Sequence, residues 1–280
     1  MRDEGRNIGI IGGTGRMGGL FQHIFEDAGC IVEVIGRASA SEYREFVKRC
    51  GVILISVPIQ ATSSVIQSIG PVLEEDQLIA DLTSIKVMPV AAMLESAAQV
   101  IGLHPLFGPD MASISGQKLI MTPARARPET VQWLISIFRC TGMQVFESTA
   151  EEHDAAMAIM QGLIHFQNIL LAKTLRKLNC TLTDLLPYAT PNAHTTFAFM
   201  ARTLSQDSEL YGGMLLLNPG IKPIISSYAK SFDELTETIL SEDMEGFRRE
   251  FTAGAEFTAP FNESAKPLTD HLLDQVVREW

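Results

Sequence analysis

The stretch Ile8-Gly9-Ile10-Ile11-Gly12-Gly13-Thr14-Gly15-Arg16-Met17-Gly18 decides the fold. Its apolar start reads as a buried strand, and the glycines that follow read as a turn opening a helix. Gly13, Gly15 and Gly18 keep the G-x-G-x-x-G spacing of a dinucleotide-binding turn, with Thr14, Arg16 and Met17 filling the positions between them. In this reading Gly13 makes the tight turn and Gly15 lets the backbone approach a pyrophosphate. Gly18 lets helix and strand pack closely. The pyrophosphate then sits on the helix N-terminus, where unpaired N–H groups and the helix dipole favour an anion. Glycine-rich turns are common, so the motif names a nucleotide and no reaction.

Outward from this turn, strand and helix signals alternate. Strand patterns cover residues 8–11, 31–35, 52–57, 78–81, 100–103, 118–122 and 144–147. Helical patterns cover 16–28, 41–49, 61–69, 87–96 and 128–141. The alternation predicts an α/β, Rossmann-type domain whose parallel sheet is covered on both faces. After about residue 150 the pattern changes. Residues 151–177, rich in Ala, Met and Leu, read as one long helix, followed by helical runs at 195–204, 223–240, 243–257 and 268–280. The predicted organisation is a dinucleotide-binding domain over residues 1–150 and an all-helical C-terminal domain over 151–280.

Composition narrows the function classes. The chain has 280 residues, enough for two domains with a sizeable core. Its 46% apolar and 20% charged residues are those of an ordinary globular protein. A net charge of −11 counts against nucleic acid as a partner and requires a local basic pocket for any anionic substrate. Cys30, Cys50, Cys140 and Cys180 show no C-x-x-C spacing and read as idle thiols in a reducing compartment. The start of the chain is charged, with no apolar signal region, and no 18-residue run is uninterruptedly apolar. No membrane span is expected, and the expected location is the cytoplasm. The lack of H-E-x-x-H or C-x-x-C patterns predicts no metal site.

The second strand runs into Gly36-Arg37-Ala38-Ser39. An acid here would bind a ribose 2′-hydroxyl; Gly36 takes that place, and Arg37 suits a 2′-phosphate. Ser39 and Ser41 add hydroxyls. The reading favours NADP over NAD, with Arg37 as a solvated loop residue the competing view. Three further loops follow strand ends, where an open parallel sheet presents its ligands: Ser56-Val57-Pro58-Ile59, Asp81 to Lys86, and Gly102 to Asp110. His104 titrates near neutrality and suits proton transfer; the bland alternative is a histidine closing a strand end. Asp110 would pair with it or with another cation. Ser84 is either a reactive hydroxyl or a helix N-cap. Lys86 is either solvated or anion-binding. In the helical half, His153 and His165 stand twelve residues apart, about 18 Å along one helix, too far to share a metal. His165, between Ile164 and Phe166, reads equally as a core residue. Arg202 would pair with Asp207 or Glu209, or hold a substrate carboxylate in bidentate fashion.

Together these segments resemble the prephenate and arogenate dehydrogenase family of tyrosine biosynthesis. The matching pieces are G-G-x-G-x-M-G at 12–18, S-V-P-I at 56–59, D-x-x-S-x-K at 81–86 and G-x-H-P-x-F-G-P-D at 102–110. E-H-D at 152–154, His165, and the run from Arg202 through Asp207 to Tyr211 complete the set, in family order over roughly residues 8–235. The resemblance implies roles. His104 is the catalytic histidine that bonds the substrate's ring hydroxyl, and Ser84 orients both. Arg202 binds the ring carboxylate, His165 lines the substrate pocket, and Asp110 shapes it. Tyr211 occupies a position often held by tryptophan. Ser56 and Pro58 join the glycine turn, Arg37 and Ser39 around the cofactor.

The implied reaction is NAD(P)-dependent oxidative decarboxylation: prephenate gives 4-hydroxyphenylpyruvate, arogenate gives tyrosine. The acid-free stretch Met111-Ala112-Ser113-Ile114 leans toward prephenate over arogenate or a 4-amino-4-deoxyprephenate analogue. The resemblance further implies a homodimer through the helical half, and no mutase segment is expected before the glycine turn. A β-hydroxyacid dehydrogenase shares the gross layout but needs a lysine on the long helix, where the first is Lys173. A non-catalytic NADP-sensing protein would tolerate loss of Ser84, His104 or Arg202, and all three are present.

Overall fold

A computed structural model describes residues 6–279. The charged N-terminal stretch, Arg6 apart, and Trp280 lie outside those residues. The first part alternates as β1 (Asn7–Ile11), α1 (Arg16–Asp27), β2 (Ile31–Ile35), α2 (Ala40–Val47), β3 (Val52–Ile55), α3 (Ile59–Ile69), β4 (Leu78–Asp81) and α4 (Val87–Leu94). It continues as β5 (Gln99–Pro105), β6 (Lys118–Arg125), α5 (Pro128–Cys140) and β7 (Gln144–Glu147). The seven strands form one sheet in the order β2-β1-β3-β4-β5-β6-β7.

Every expected strand is present, but the sheet is not wholly parallel. β6 runs antiparallel to β5, then pairs in parallel with β7. The cause is the connection: the segment between Pro105 and Lys118 holds no crossover helix, so the chain turns back on itself. β3 and β4 are buried along their whole length because helices cover both faces. Side chains alternate between two cores. Ile8, Ile10, Leu54 and Leu103 pack with Phe21, Phe25 and Phe138 on one side; Ile11, Ile53, Ile55 and Ile79 pack with Phe46 and Ile66 on the other. Each fully buried Ile contributes about 1.5–3 kcal/mol over exposure.

The remainder is helical: α6 (Ala150–Met157), α7 (Ile164–Lys177), α8 (Leu182–Leu185), α9 (Pro191–Leu204), α10 (Ser208–Leu217), α11 (Ile221–Leu240) and α12 (Met244–Arg278). α6 opens with a reciprocal cap: Glu152 N donates to Thr149 Oγ1 at 3.1 Å, and Thr149 N donates to the Glu152 carboxylate at 3.1 Å. The single helix expected over 151–177 is instead α6 and α7 joined by a π-helical turn, Ala158–Leu163. The two helices expected over 243–257 and 268–280 are one, α12, which continues through Pro260 and Pro267. Each proline removes one backbone donor, and Glu256 and Glu263, whose carbonyls lose their partners, are exposed to water.

Two compact units result. One runs to Ala158 and includes Gly212–Pro219; the other comprises Ile159–Tyr211 and the chain from Gly220 on. By length and composition the helical run Ala150–Lys177 would reach across a membrane. Its first two turns nevertheless bury His153 and Asp154 against polar partners in the first unit.

Candidate functional site

The glycine turn departs in detail from its sequence reading. The left-handed residue is Gly12, at φ +86°, and a Cβ there would lie 2.1 Å from the carbonyl oxygen of Ser56. Gly13, expected to make the turn, is small for a different reason: its Cβ would meet Val34 of β2 at 2.6 Å. Gly18 does allow close packing, since its Cβ would stand 2.5 Å from Gly12 O. α1 begins after Gly15 with no side-chain cap and no acid in its first turn, which leaves its leading N–H groups open to an anion.

Beside this turn lies a cavity of about 490 Å³, lined among others by Thr14, Gly15, Arg37, Ser56 and Pro58. Gly13, Arg16, Met17, Gly18 and Ser39 are not part of its wall. Ser39 is occupied elsewhere, as the N-cap of α2: its hydroxyl donates to Glu42 at 2.6 Å, and its backbone N–H donates to the same carboxylate at 2.8 Å. The loop carrying Arg37 is pinned by the buried Tyr43, whose hydroxyl donates to Gly36 O at 3.1 Å and accepts from Ala38 N at 3.2 Å. Arg37 is thereby presented, exposed, at the wall of the cavity. An uncapped helix start and a glycine turn beside this cavity fit a nicotinamide dinucleotide.

At the carboxyl end of β5, His104 is 3% exposed and joins a buried polar chain. Its Nδ1 lies 2.8 Å from His153 Nε2, and His153 Nδ1 lies 2.8 Å from Asp154 Oδ1. The Asp154 carboxylate also accepts from Lys86 N at 2.7 Å and Val87 N at 2.9 Å, which caps α4 from a distant segment. Asn218, in the proline- and glycine-rich turn before α11, donates its side-chain amide to Asp154 O at 2.8 Å.

Beneath this chain lies Lys86. It is fully buried, and its Nζ contacts the Asp81 carboxylate and donates to Leu103 O at 2.8 Å. Asp81 also accepts from Thr83 N at 3.0 Å. The lysine stem crosses β5 at Gly102, where a Cβ would sit 2.8 Å from Lys86 Cδ and 2.2 Å from Thr122 Oγ1. Burial, reinforced by the neighbouring His153 ring and the Lys86 ammonium, drives the pKa of His104 well below the ordinary value of 6.5. His104 is therefore a neutral imidazole at physiological pH.

Several open readings close here. Lys86 is neither solvated nor anion-binding; it holds a buried ion pair. Ser84 does not cap α4, whose cap is supplied by Asp154. Its half-buried hydroxyl makes no hydrogen bond to another described residue, and register places it near His104: Asp81 pairs with Gly102, two residues before His104 and three before Ser84 on the adjacent strands. Asp110 pairs with Arg16 at the surface and not with His104; with both side chains exposed the pair adds little stability. His153 and Asp154 were visible in the sequence only as part of a motif. The one local clue was the T-x-x-E cap at 149–152, which fixes the helix start that turns both residues inward.

In the second unit, the His165 and Tyr211 rings meet edge to face with centroids 4.6 Å apart. Burial lowers the pKa of His165. Burial raises that of Tyr211, against the opposing charge of Arg202. Arg202 is exposed, and its guanidinium makes no hydrogen bond or ion pair with any described residue. Asp207, one partner expected for it, caps the start of α10 by accepting from Glu209 N at 2.9 Å.

Comparison with known proteins matches both parts of the chain. The family model described as prephenate dehydrogenase, nucleotide-binding domain, matches residues 30–147, and that described as prephenate dehydrogenase, dimerization domain, matches 149–253. The T-protein of Haemophilus influenzae is 31% identical over 96% of this chain and 71% of its own length. A T-protein of Enterobacter agglomerans is 32% identical over 89% of this chain and 66% of its length. A probable arogenate/prephenate dehydrogenase of Methanocaldococcus jannaschii is 31% identical over 88% and 60%. This chain thus spans about two thirds of these relatives. Among solved structures, prephenate dehydrogenase from A. aeolicus in complex with hydroxyphenyl propionate and NAD+ shares the fold, with a TM-score of 0.71, 20% identity, and coverage of 91% of this chain and 98% of that one. Synechocystis arogenate dehydrogenase gives a TM-score of 0.68 at 19% identity, over 91% of this chain and 99% of its own.

Proposed function

The chain belongs to the prephenate and arogenate dehydrogenase family of NAD(P)-dependent oxidoreductases, and from that premise we propose that it oxidises prephenate to 4-hydroxyphenylpyruvate with loss of CO2, using NADP+ in preference to NAD+. The observation that carries the reading is His104, a neutral buried imidazole at the carboxyl end of a sheet that also bears the dinucleotide turn. When bound, the nicotinamide supplies the acceptor for the hydride leaving the carbinol carbon, and departure of the ring carboxylate as CO2 makes the ring aromatic.

The chain's own residues do the rest. Gly12, Gly15 and the open start of α1 hold the pyrophosphate. Arg37 meets a ribose 2′-phosphate, with Gly36 leaving room where an acid would repel it; this supports NADP. His104 takes the hydroxyl proton, and Ser84 orients that hydroxyl. Arg202 holds the ring carboxylate, so its contribution is orientation as well as charge. His165 and Tyr211 line the substrate, and Asp110 shapes the loop beyond His104. The acid-free residues 111–114 support prephenate over arogenate. Substrate binding and pairing of two chains fall to residues 151–280. The dimerization-domain match and the exposed apolar residues Phe232, Leu235 and Ile239 of α11 and Phe247 and Phe251 of α12 support a homodimer.

The test is absorbance at 340 nm with prephenate, arogenate and 4-amino-4-deoxyprephenate, each with NADP+ and NAD+. The highest kcat/KM is expected for prephenate with NADP+. A higher value for another pair reassigns substrate or cofactor, and silence with all three substrates rejects the dehydrogenase reading.

A further inference from the structure

We infer that His153 and Asp154 are positioning residues that lock His104 in the one tautomer able to accept the substrate's proton; the inference rests on the dehydrogenase reading of His104. The argument begins at the carboxylate. Both oxygens of Asp154 accept backbone N–H groups, from Lys86 at 2.7 Å and Val87 at 2.9 Å. An ionised carboxylate in that role has no proton to offer. The 2.8 Å contact between Asp154 Oδ1 and His153 Nδ1 therefore has the ring as donor. A His153 ring whose one proton is the Nδ1 proton given to Asp154 presents a bare Nε2, which can only accept. The 2.8 Å contact of that nitrogen with His104 Nδ1 then places a proton on His104 Nδ1. His104 Nε2 is left unprotonated, which is the form a general base requires.

The opposite tautomer of His104 sets two lone pairs against each other at 2.8 Å, in a place where His104, His153 and Asp154 are each 2–3% exposed and water cannot intervene. The rings stand edge to face, 71° apart with centroids 5.0 Å apart, so the chain also fixes the plane of His104. When the substrate O–H bond breaks, its proton goes to His104 Nε2 and the electron pair stays on oxygen. Both nitrogens of His104 then carry protons, and the new positive charge faces a chain that ends in a carboxylate. A Ser-His-Asp triad orients its histidine by the same logic, with one ring where this chain has two.

The test has two independent readouts. Long-range ¹H–¹⁵N spectra of the wild-type protein labelled at its six histidines, with His104→Asn as the assignment reference, report the tautomer without turnover. The expected result is His104 protonated at Nδ1 and bare at Nε2; a proton on Nε2 overturns the inference whatever the enzyme does. In kinetics, His153→Phe, which keeps a flat ring and removes the acceptor, should lower kcat about 10–100-fold while KM changes less than about threefold. His153→Gln, which restores an acceptor, should recover part of the loss. An unchanged kcat in His153→Phe overturns the inference. Absence of wild-type turnover with all candidate substrates instead refutes the dehydrogenase reading and leaves the tautomer measurement standing.

Discussion

Replacing Lys86 by methionine isolates the energetics of the buried pair on which the site rests. Methionine keeps the length of the stem that crosses Gly102 but removes the charge and three donors. Asp81 would keep only its bonds from Thr83, and its Oδ1 is already a buried acceptor without a partner among the described residues. Breaking a buried pair by deleting one member strands the other charge, at about 3–5 kcal/mol. Against a total stability of about 5–15 kcal/mol, that is a fifth or more.

The same reasoning requires that removing both charges be much less harmful. Asp81→Asn with Lys86→Met leaves no stranded ion and should be more stable than Lys86→Met alone, with a coupling of about 1–3 kcal/mol. The assay is urea unfolding followed by far-UV circular dichroism and by fluorescence of Trp133 in α5, in a Trp280→Phe background. Coincident transitions license the comparison of midpoints. An unshifted midpoint in Lys86→Met, or a double variant whose loss equals the sum of the singles, would refute the account of Lys86 as half of a buried ion pair.

Four further outcomes are expected. His104→Asn should cut kcat by about 10²–10⁴ with substrate binding retained, measured at 340 nm. Arg202→Gln should raise KM for the substrate by an amount worth about 2–4 kcal/mol, and a normal KM would make Arg202 structural. Gly12→Ala and Gly29→Ala both force a side chain to φ near +86°, but only the first meets a backbone oxygen at 2.1 Å, while the second meets nothing within 4 Å. Thermal melts should show about 1–2 kcal/mol lost at Gly29 and clearly more at Gly12, which should also bind dinucleotide weakly. Finally, the folded protein keeps His104 uncharged well below 6.5, whereas the unfolded chain takes up a proton near that pH. Stability is full above 6.5 and is lost as pH falls through the window beneath it. The fall in urea midpoint from pH 7.5 to 5.5 should be shallower in His104→Gln.

Much of this molecule was legible because burial writes a strong period. The short apolar runs at 52–55 and 78–81 are strands that face helices on both sides. Strand direction writes no period, so the reversal of β6 was hidden in a loop whose only signal was the lack of a helix. Pro260 and Pro267 misled for the opposite reason: their local rule is strong, yet an exposed helix tolerates the carbonyls they release. At the site, His104 stood out by its chemistry and its place after a strand. Lys86 did not, because a lysine in a loop is normally solvated and only the fold brings Asp81 and the Leu103 carbonyl to it. The roles of His153 and Asp154 were least visible of all, since they depend on contacts 49 and 68 residues away in sequence.

That separation has a consequence for the nascent chain. At about 5–20 residues per second, the 49 residues from His104 to His153 take roughly 2–10 s to synthesise. During that interval the residues of β5 and of the glycine turn have been made, but His104 lacks the partner at its Nδ1. Asn218, which holds Asp154 by its backbone carbonyl, arrives 64 residues later still. Translation thus sets the order in which the buried chain can assemble: a polypeptide halted before α6 has His104 but neither His153, Asp154 nor Asn218 to complete it.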